Sequence, residues 1–330
     1  MNRAEEDARW MRSAVALGRR GLSTTGANPA VGCVIVRDGR VVGRGWTQPG
    51  GRPHAEAMAL RQAGEQARGG TAYVTLEPCA HVSERGPCCA DSLIAAGVAR
   101  VVVSLADPDP RTDGQGIARL RGVGVAIDTD VASGEAREAL GGFLTRVAFS
   151  RPRVTLKLAT SLDGRIALAS GESRWITGDG ARAHAHRLRA EMDAILVGRG
   201  TFEADAPRLD VRLPGLEARA PQRILLSSRP APPGAAGWRV IDAPDAIASL
   251  EGVNDLLMEG GAGAAASFLR AGLVDRLLLY RAPVVLGGDA LPGVGDLGIT
   301  DLVAVHGRWR LCETRQLGAD RMELYQRAAD

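Results

Sequence analysis

The chain has 330 residues, 45% of them hydrophobic, which is enough material for two packed domains. A net charge of +3 without any basic run argues against a nucleic-acid partner. Even the apolar stretch 264–286 is broken by Arg270, Asp275, Arg276 and Arg281, which argues against a membrane span. The start carries Glu5, Glu6 and Asp7 in place of an apolar leader, and the cysteine count of five is odd. Those features point to a cytoplasmic protein with a metal site, not to a secreted disulfide framework.

In chain order, 5–20 reads as an amphipathic helix on the apolar spacing of Ala8, Met11, Val15 and Leu17. A loop through Asn28-Pro29 leads to a buried strand over 30–36, and Asp38-Gly39 turns it into a second strand at 41–43. Residues 54–68 form a helix entered through Pro53. A strand at 71–76 then delivers Glu77-Pro78-Cys79, and a further helix opens at Cys88-Cys89 and runs to about residue 96. Strands at 101–105 and 123–127 flank a helix near 116–121. Alternation of this kind predicts a three-layer α/β domain with its site at strand ends and helix starts.

The chemistry in this half sits in His54-Ala55-Glu56, answered by Pro78-Cys79 and Pro87-Cys88. An imidazole and two thiols are three corners of a tetrahedral zinc site, with the fourth left for water. Glu56, two residues past the first ligand, can shuttle protons without occupying a coordination position. This is the H-x-E…P-C signature of hydrolytic zinc deaminases. A lone His54 would ordinarily be a surface residue of a helix start; its joint occurrence with both Pro-Cys pairs makes that reading unlikely. Cys89 competes with Cys88 for the third corner, and Pro87, which fixes the approach to Cys88, favours Cys88. Cys33 and Cys312 read as buried small apolar residues.

Gly26-x-Asn28-Pro29-x-Val31-Gly32, His54-Ala55-Glu56, Thr75-Leu76-Glu77-Pro78-Cys79-x-His81 and Pro87-Cys88-Cys89 together resemble the deaminase half of bacterial riboflavin-biosynthesis bifunctional deaminase–reductases. The resemblance implies that Asn28 and His81 contact the pyrimidine or its ribose phosphate. Thr47 stands where that family commonly has His, and Glu84 where it commonly has Lys. An acid beside a phosphate would repel it, so Arg85 or Arg52 would have to take over.

The rhythm changes at Ala148-Phe149-Ser150-Arg151-Pro152, after a helix near 134–147, and the domain boundary is placed there: 1–150 and 151–330. Residues 153–159 alternate as a strand, and Trp175-Ile176-Thr177-Gly178 precedes a helix carrying His184, His186 and Arg189. Residues two apart on a helix point to different sides, so His184 and His186 read as solvated polar residues and not as a metal pair. Strands follow at 194–197, 224–226, 273–280, 308–311 and 322–325. Asp255 to Gly263 is strand, glycine-rich turn and helix start, able to close on phosphate. A tight turn alone accounts for Gly260-Gly261-x-Gly263 equally well, and the Rossmann spacing is absent.

Lys157-x-Ala159-x-Ser161-Leu162-Asp163-Gly164, Gly171-x-Ser173-x-Trp175-Ile176-Thr177-Gly178, 193–198 and Glu259-Gly260-Gly261 resemble the reductase half of the same enzymes. That implies a dihydrofolate-reductase-like fold and NADPH. Carried over by position, Ala159, Trp175, Thr201, Asp205, Ser228 and Gly261, Ala262, Gly263, Ala264, Ala265, Ala266 and Ser267 line the dinucleotide. Lys157, Ser173, Arg189, Leu209, Arg212 and Glu259 take the ribose-phosphate substrate, and Lys157 and Asp205 assist the reduction. Ala206 replaces the second Asp of an Asp-Asp-Pro motif.

The expectation is therefore an α/β protein: a cytidine-deaminase-like α/β/α domain holding Zn²⁺ on His54, Cys79 and Cys88 with Glu56 catalytic, then an NADPH-dependent reductase. The resemblance implies deamination of 2,5-diamino-6-(5-phosphoribosylamino)pyrimidin-4-one, then reduction of the ribosyl chain to 5-amino-6-(5-phosphoribitylamino)uracil. Its partners are small molecules, with no nucleic acid and no membrane, and a homo-oligomer is left open. Three rivals stand beside this: a deaminase whose second half only binds a ligand or partner, a deaminase of another pyrimidine, and a zinc-stabilised scaffold without activity.

Overall fold

The computed structural model describes residues 2–81 and 86–328. The chain divides into two units, Met1–Ser150 and Arg151–Asp330, each described by itself.

In the first unit α1 (Arg3–Gly18) is followed by β1 (Gly32–Arg37), β2 (Arg40–Trp46), α2 (Ala55–Ala63), β3 (Thr71–Val74), α3 (Cys89–Ala95), β4 (Arg100–Val103), α4 (Gln115–Gly122), β5 (Ala126–Asp128), α5 (Ser133–Ala139) and α6 (Gly141–Phe149). The strands lie in the order β2-β1-β3-β4-β5, with β1 antiparallel to both neighbours and β3, β4 and β5 parallel. Asp38 (φ 51°) and Gly39 (φ 69°) both have left-handed backbone, the two-residue hairpin turn that matches strand twist.

Strand side chains alternate between two cores. Cys33, Ile35, Ala72, Val74, Val101 and Val103 face α2, α3 and α4. Val34, Val36, Tyr73 and Val102 face Met11 and Ala14 of α1. Helix α2 lies directly on the main chain of β2: a Cβ built at Gly45 would come within 2.1 Å of the Ala55 carbonyl oxygen, and one at Gly43 within 2.2 Å of that of Ala59. On the α1 side, Arg100 Nη1 and Nη2 donate to Asp7 at 2.8 and 2.6 Å, and the Tyr73 hydroxyl donates to the same carboxylate at 2.8 Å.

The second unit contains β6 (Arg153–Thr160), β7 (Arg165–Ala167), α7 (Asp179–Arg189), β8 (Ala194–Gly198), α8 (Arg199–Asp205), β9 (Gln222–Leu226), β10 (Arg239–Ile241), β11 (Asp255–Met258), α9 (Ala262–Arg270), β12 (Arg276–Arg281), β13 (Leu291–Pro292), β14 (Trp309–Leu317) and β15 (Asp320–Arg327). Eight strands run in the order β10-β9-β8-β11-β6-β12-β15-β14. They are parallel from β10 to β12, and β15 and β14 close the sheet antiparallel. Alternation again splits the core: Ala194, Leu196, Leu256 and Met258 pack with Ala265 and Phe268 of α9, and Ile195, Val197, Leu257 and Tyr280 pack with Ala181, Ala185 and Leu188 of α7. Cys33 is buried as expected, but Cys312 is exposed on β14, because that edge strand carries the chain beyond both cores.

Candidate metal centre and cavity

Two helix starts and one strand end bring three ligands together in the first unit. His54 is the N-cap of α2, Cys79 follows β3, and Cys89 is the first residue of α3. His54 Nδ1 lies 3.3 Å from Cys89 Sγ and 3.6 Å from Cys79 Sγ. The three ligand atoms all lie within 4.8 Å of one another, and among the described residues the group has only these members. An imidazole and two sulfurs at that spacing fit zinc, with a coordination position to spare.

The cysteine grouped with His54 and Cys79 in this structure is Cys89, whereas the sequence points to its neighbour Cys88. Cys88 is the N-cap of α3, and its thiol folds back to accept from the Asp91 N–H at 3.5 Å, with Arg119 Nη1 at 3.2 Å. A cap side chain is drawn to the free N–H groups of its own first turn. The next residue, already helical, points inward instead, and its N–H donates to Cys79 Sγ at 3.3 Å. The gap between the two cysteines is therefore Cys79-x9-Cys89.

Glu56, 3% exposed, stands in the first turn of α2 beside this group. Burial holds its carboxyl above the usual range, against the pull of His54. The Cys89 thiol and then His54 hydrogen-bond to Cys79 and lower it to about 4, while the same contact raises Cys89. The shared contact thus favours the thiolate, the form that binds metal, on Cys79.

Glu77, part of the Glu77-Pro78-Cys79 motif but given no role there, is buried. Its buried carboxylate accepts from the N–H groups of Asp107 (3.2 Å), Gly114 (3.0 Å) and Ile117 (3.0 Å). It ties the 107–117 segment and the start of α4 to the strand end that carries Cys79. Its sequence signal is membership of that motif, which does not reveal its main-chain partners. Thr47 is buried, and its hydroxyl accepts from the Val31 N–H at 3.0 Å, just ahead of β1. Asn28 is held in its loop by a bond from its amide to the Thr25 carbonyl at 3.2 Å, beside Gly51. His81, two residues past Cys79, keeps a buried Nδ1 without a hydrogen-bond partner among the described residues. Glu84 and Arg85 lie outside the described residues.

In the second unit a cavity of about 1210 Å³ opens at the carboxyl ends of β6, β8, β9 and β11. All six substrate residues expected here, Lys157, Ser173, Arg189, Leu209, Arg212 and Glu259, line it, as do the expected cofactor residues except Ala265 and Ala266. Those two are 0% and 3% exposed, and Ala265 packs into the core. The exception is helical geometry: a continuous stretch of α9 cannot present every residue to one side. The turns after β8 and β11 approach closely, with the Gly261 N–H donating to Thr201 Oγ1 at 3.0 Å and a Cβ at Gly198 meeting that of Ala264 at 2.9 Å. Past the paired Gly261 N–H, the first turn of α9 is where main-chain N–H groups can cradle a pyrophosphate.

At the inner end Glu259 takes Arg189 side-on, at 2.7 Å to Nε and 2.9 Å to Nη2, and Lys157 Nζ at 3.4 Å. Although burial opposes ionisation, Lys157 and Arg189 hold this carboxyl down at about 2. His184 and His186, expected to be solvated, are both half-buried and bonded. His184 Nδ1 lies 2.7 Å from Tyr280 Oη, and His186 Nδ1 3.1 Å from the Asp210 carbonyl oxygen. Burial lowers both imidazoles. The helix places them on different partners, and the sequence held no sign that α7 would be packed on both of those sides.

The cytidine and deoxycytidylate deaminase zinc-binding region matches residues 4–105, and the RibD C-terminal domain matches residues 152–322. The riboflavin biosynthesis protein RibD of Escherichia coli (strain K12) is 40% identical over 96% of this chain and 98% of its own. The chain belongs to the RibD family. RibD of Aquifex aeolicus (strain VF5) is 38% identical over 90% and 92%. The solved structure of Acinetobacter baumannii RibD, form 1, superposes with a TM-score of 0.88 at 36% identity, covering 99% of this chain and all of that one. A diaminohydroxyphosphoribosylaminopyrimidine deaminase/5-amino-6-(5-phosphoribosylamino)uracil reductase from Thermotoga maritima gives 0.87 at 28% identity. As a RibD-family member the chain is a bifunctional deaminase–reductase of riboflavin biosynthesis that uses zinc and NADPH. Its first unit has the cytidine-deaminase-like fold and its second the dihydrofolate-reductase-like one.

Proposed function

We propose that the first unit hydrolytically deaminates a diaminohydroxyphosphoribosylaminopyrimidine, 2,5-diamino-6-(5-phosphoribosylamino)pyrimidin-4-one. The second unit then reduces the ribosyl chain of the resulting 5-amino-6-(5-phosphoribosylamino)uracil to ribityl. The observation that carries this reading is the three-membered His54–Cys79–Cys89 group with the buried Glu56 beside it. The substrate names are those of the Thermotoga maritima relative.

His54, Cys79 and Cys89 would hold zinc, which when bound makes water acidic enough to act as a nucleophile near neutral pH. Glu56 accepts a proton from the attacking water and delivers it to the ring nitrogen. It then takes the second proton from the new hydroxyl group and passes it to the amino group, which leaves as ammonia while the carbonyl forms. Its burial suits both directions of transfer, because a carboxyl held above its usual range is a stronger base and still an accessible acid. Glu77 keeps Cys79 in place through the three N–H groups it gathers.

In the second unit NADPH, when bound, supplies the hydride. Gly261, Thr201 and the start of α9 would hold its pyrophosphate, and Ala159, Trp175, Asp205 and Ser228, which line the same cavity, would contact the remainder. Arg189 and Arg212 draw the phosphate of the substrate, while Lys157 and Glu259 fix polar contacts at the reacting carbon. All five cysteines are free thiols and no described helix is long and apolar enough to cross a membrane, which supports a reducing, cytoplasmic setting.

The test is metal analysis of the full chain together with both half-reactions. One zinc per chain, ammonia release from the phosphorylated pyrimidine and subsequent NADPH consumption are expected. Ammonia release only from an unphosphorylated pyrimidine, or a second half that binds NADPH without consuming it, would replace this reading with one of its rivals.

A further inference from the structure

His184 is not used by the chemistry proposed above and does not itself line the cavity, yet it backs Tyr280, which does. Its Nδ1 lies 2.7 Å from Tyr280 Oη, and the two rings meet edge to face with centroids 5.8 Å apart at 63°. Tyr280 is 1% exposed and lines the cavity from β12. Above its ring, 5.7 Å from the centroid, stands Lys157 Nζ, which shares Glu259 with Arg189. Among the described residues, His184 is the hydrogen-bond partner of the Tyr280 hydroxyl.

Both partners are neutral. Burial, with Arg315 and Arg187 nearby, holds the imidazole below its ordinary range against Glu191 and Glu313, and burial keeps the phenol protonated. A buried hydroxyl stripped of its partner has a strong incentive to move, since leaving it unpaired costs about a factor of ten or more. The ring is also a π-face to the ammonium, so a shift of Tyr280 shifts the favoured position of Lys157.

We propose that His184 is a positioning residue of the reduction: by anchoring the Tyr280 hydroxyl it fixes the aromatic floor on which Lys157 presents its charge to the substrate. This rests on assigning the Lys157–Glu259–Arg189 cluster to the substrate end of the cavity.

The experiment uses the full-length zinc-loaded protein. His184→Phe keeps a ring and removes both nitrogens, and His184→Asn restores a polar atom near Nδ1. For His184→Phe, kcat for NADPH-dependent reduction should fall about tenfold, with the Kd for NADPH measured by fluorescence, and the rate of ammonia release, unchanged. His184→Asn should recover most of the loss. Tyr280→Phe should reproduce it, and the double variant should be no worse than either single one. Wild-type kcat in His184→Phe overturns the proposal. So does a loss that Asn does not rescue and that follows a lowered Tm and weaker NADPH binding, since that describes a merely structural histidine. Should His184→Phe fail to fold, wild-type kcat in Tyr280→Phe overturns it instead. Lys157→Met separates the two assumptions: if it still reduces normally, the cluster assignment fails, whereas an inactive Lys157→Met beside a normal His184→Phe removes only the role of His184.

Discussion

The His54–Cys79–Cys89 group and the Lys157–Glu259–Arg189 cluster are both buried polar constellations, but they suit different partners. In the first, two cysteines and a buried carboxyl surround an imidazole, and the most separated members are 35 residues apart in the chain. Its two sulfurs and imidazole are the donors of a cation site, which zinc fits. In the second, two cations share one carboxylate, and Lys157 and Glu259 are 102 residues apart. It carries surplus positive charge and suits an anionic substrate. The first site is thus completed by its metal and the second by what it acts upon. Breaking one should look like loss of a part, and breaking the other like loss of fit.

Cys89→Ser should have the largest effect: zinc content falls to near zero and ammonia release with it, while NADPH-dependent reduction continues. Full zinc occupancy by metal analysis would return the third corner to Cys88. Next, Glu56→Gln should retain zinc and lower deamination about a thousandfold, within the range for a positioned acid–base group. Zinc loss in that variant would mean that Glu56 holds the metal and not the proton. Glu259→Gln sharpens the other side of the comparison. A glutamate whose folded pKa of about 2 lies below its ordinary 4.5 stabilises the protein above the ordinary value, and that contribution disappears as pH falls from 4.5 towards 2. The variant should therefore lose about 2 kcal/mol at pH 7 by urea unfolding, and the gap to wild type should shrink on acidification. A gap that stays constant down to pH 3 would show that the charge contributes nothing. The smallest effect is expected of Cys88→Ser, which should keep its zinc and both activities.

The same contrast explains what could be read in the sequence. The metal motif is local, so His54, Cys79 and the helix starts were visible as spacing alone. Which of two adjacent cysteines faces inward was not, because it depends on whether the helix begins at residue 88 or 89, and Pro87 marks the approach without fixing the cap. The cavity residues came through the resemblance, and the lapse at Ala265 and Ala266 arose from extending a loop's pattern into a helix, where neighbours face apart. His184 and His186 misled for a different reason: polar residues two apart on a helix look solvated until the topology covers both sides of it. Glu77 was hidden in plain sight, since its partners are main-chain N–H groups 30 to 40 residues downstream that no composition reveals.

The bare main chain at Gly43 and Gly45 has a consequence for how the deaminase half can vary. Helix α2 rests on peptide groups with no cushion of side chains between, so its first turn is referenced to the hairpin like a straightedge laid on a bench. Adding even a methyl group at either position would lift that helix and swing His54 and Glu56 away from the two sulfurs. In a saturation library, then, these two outlying positions should tolerate as little as the ligands themselves, although neither glycine comes near the reacting atoms.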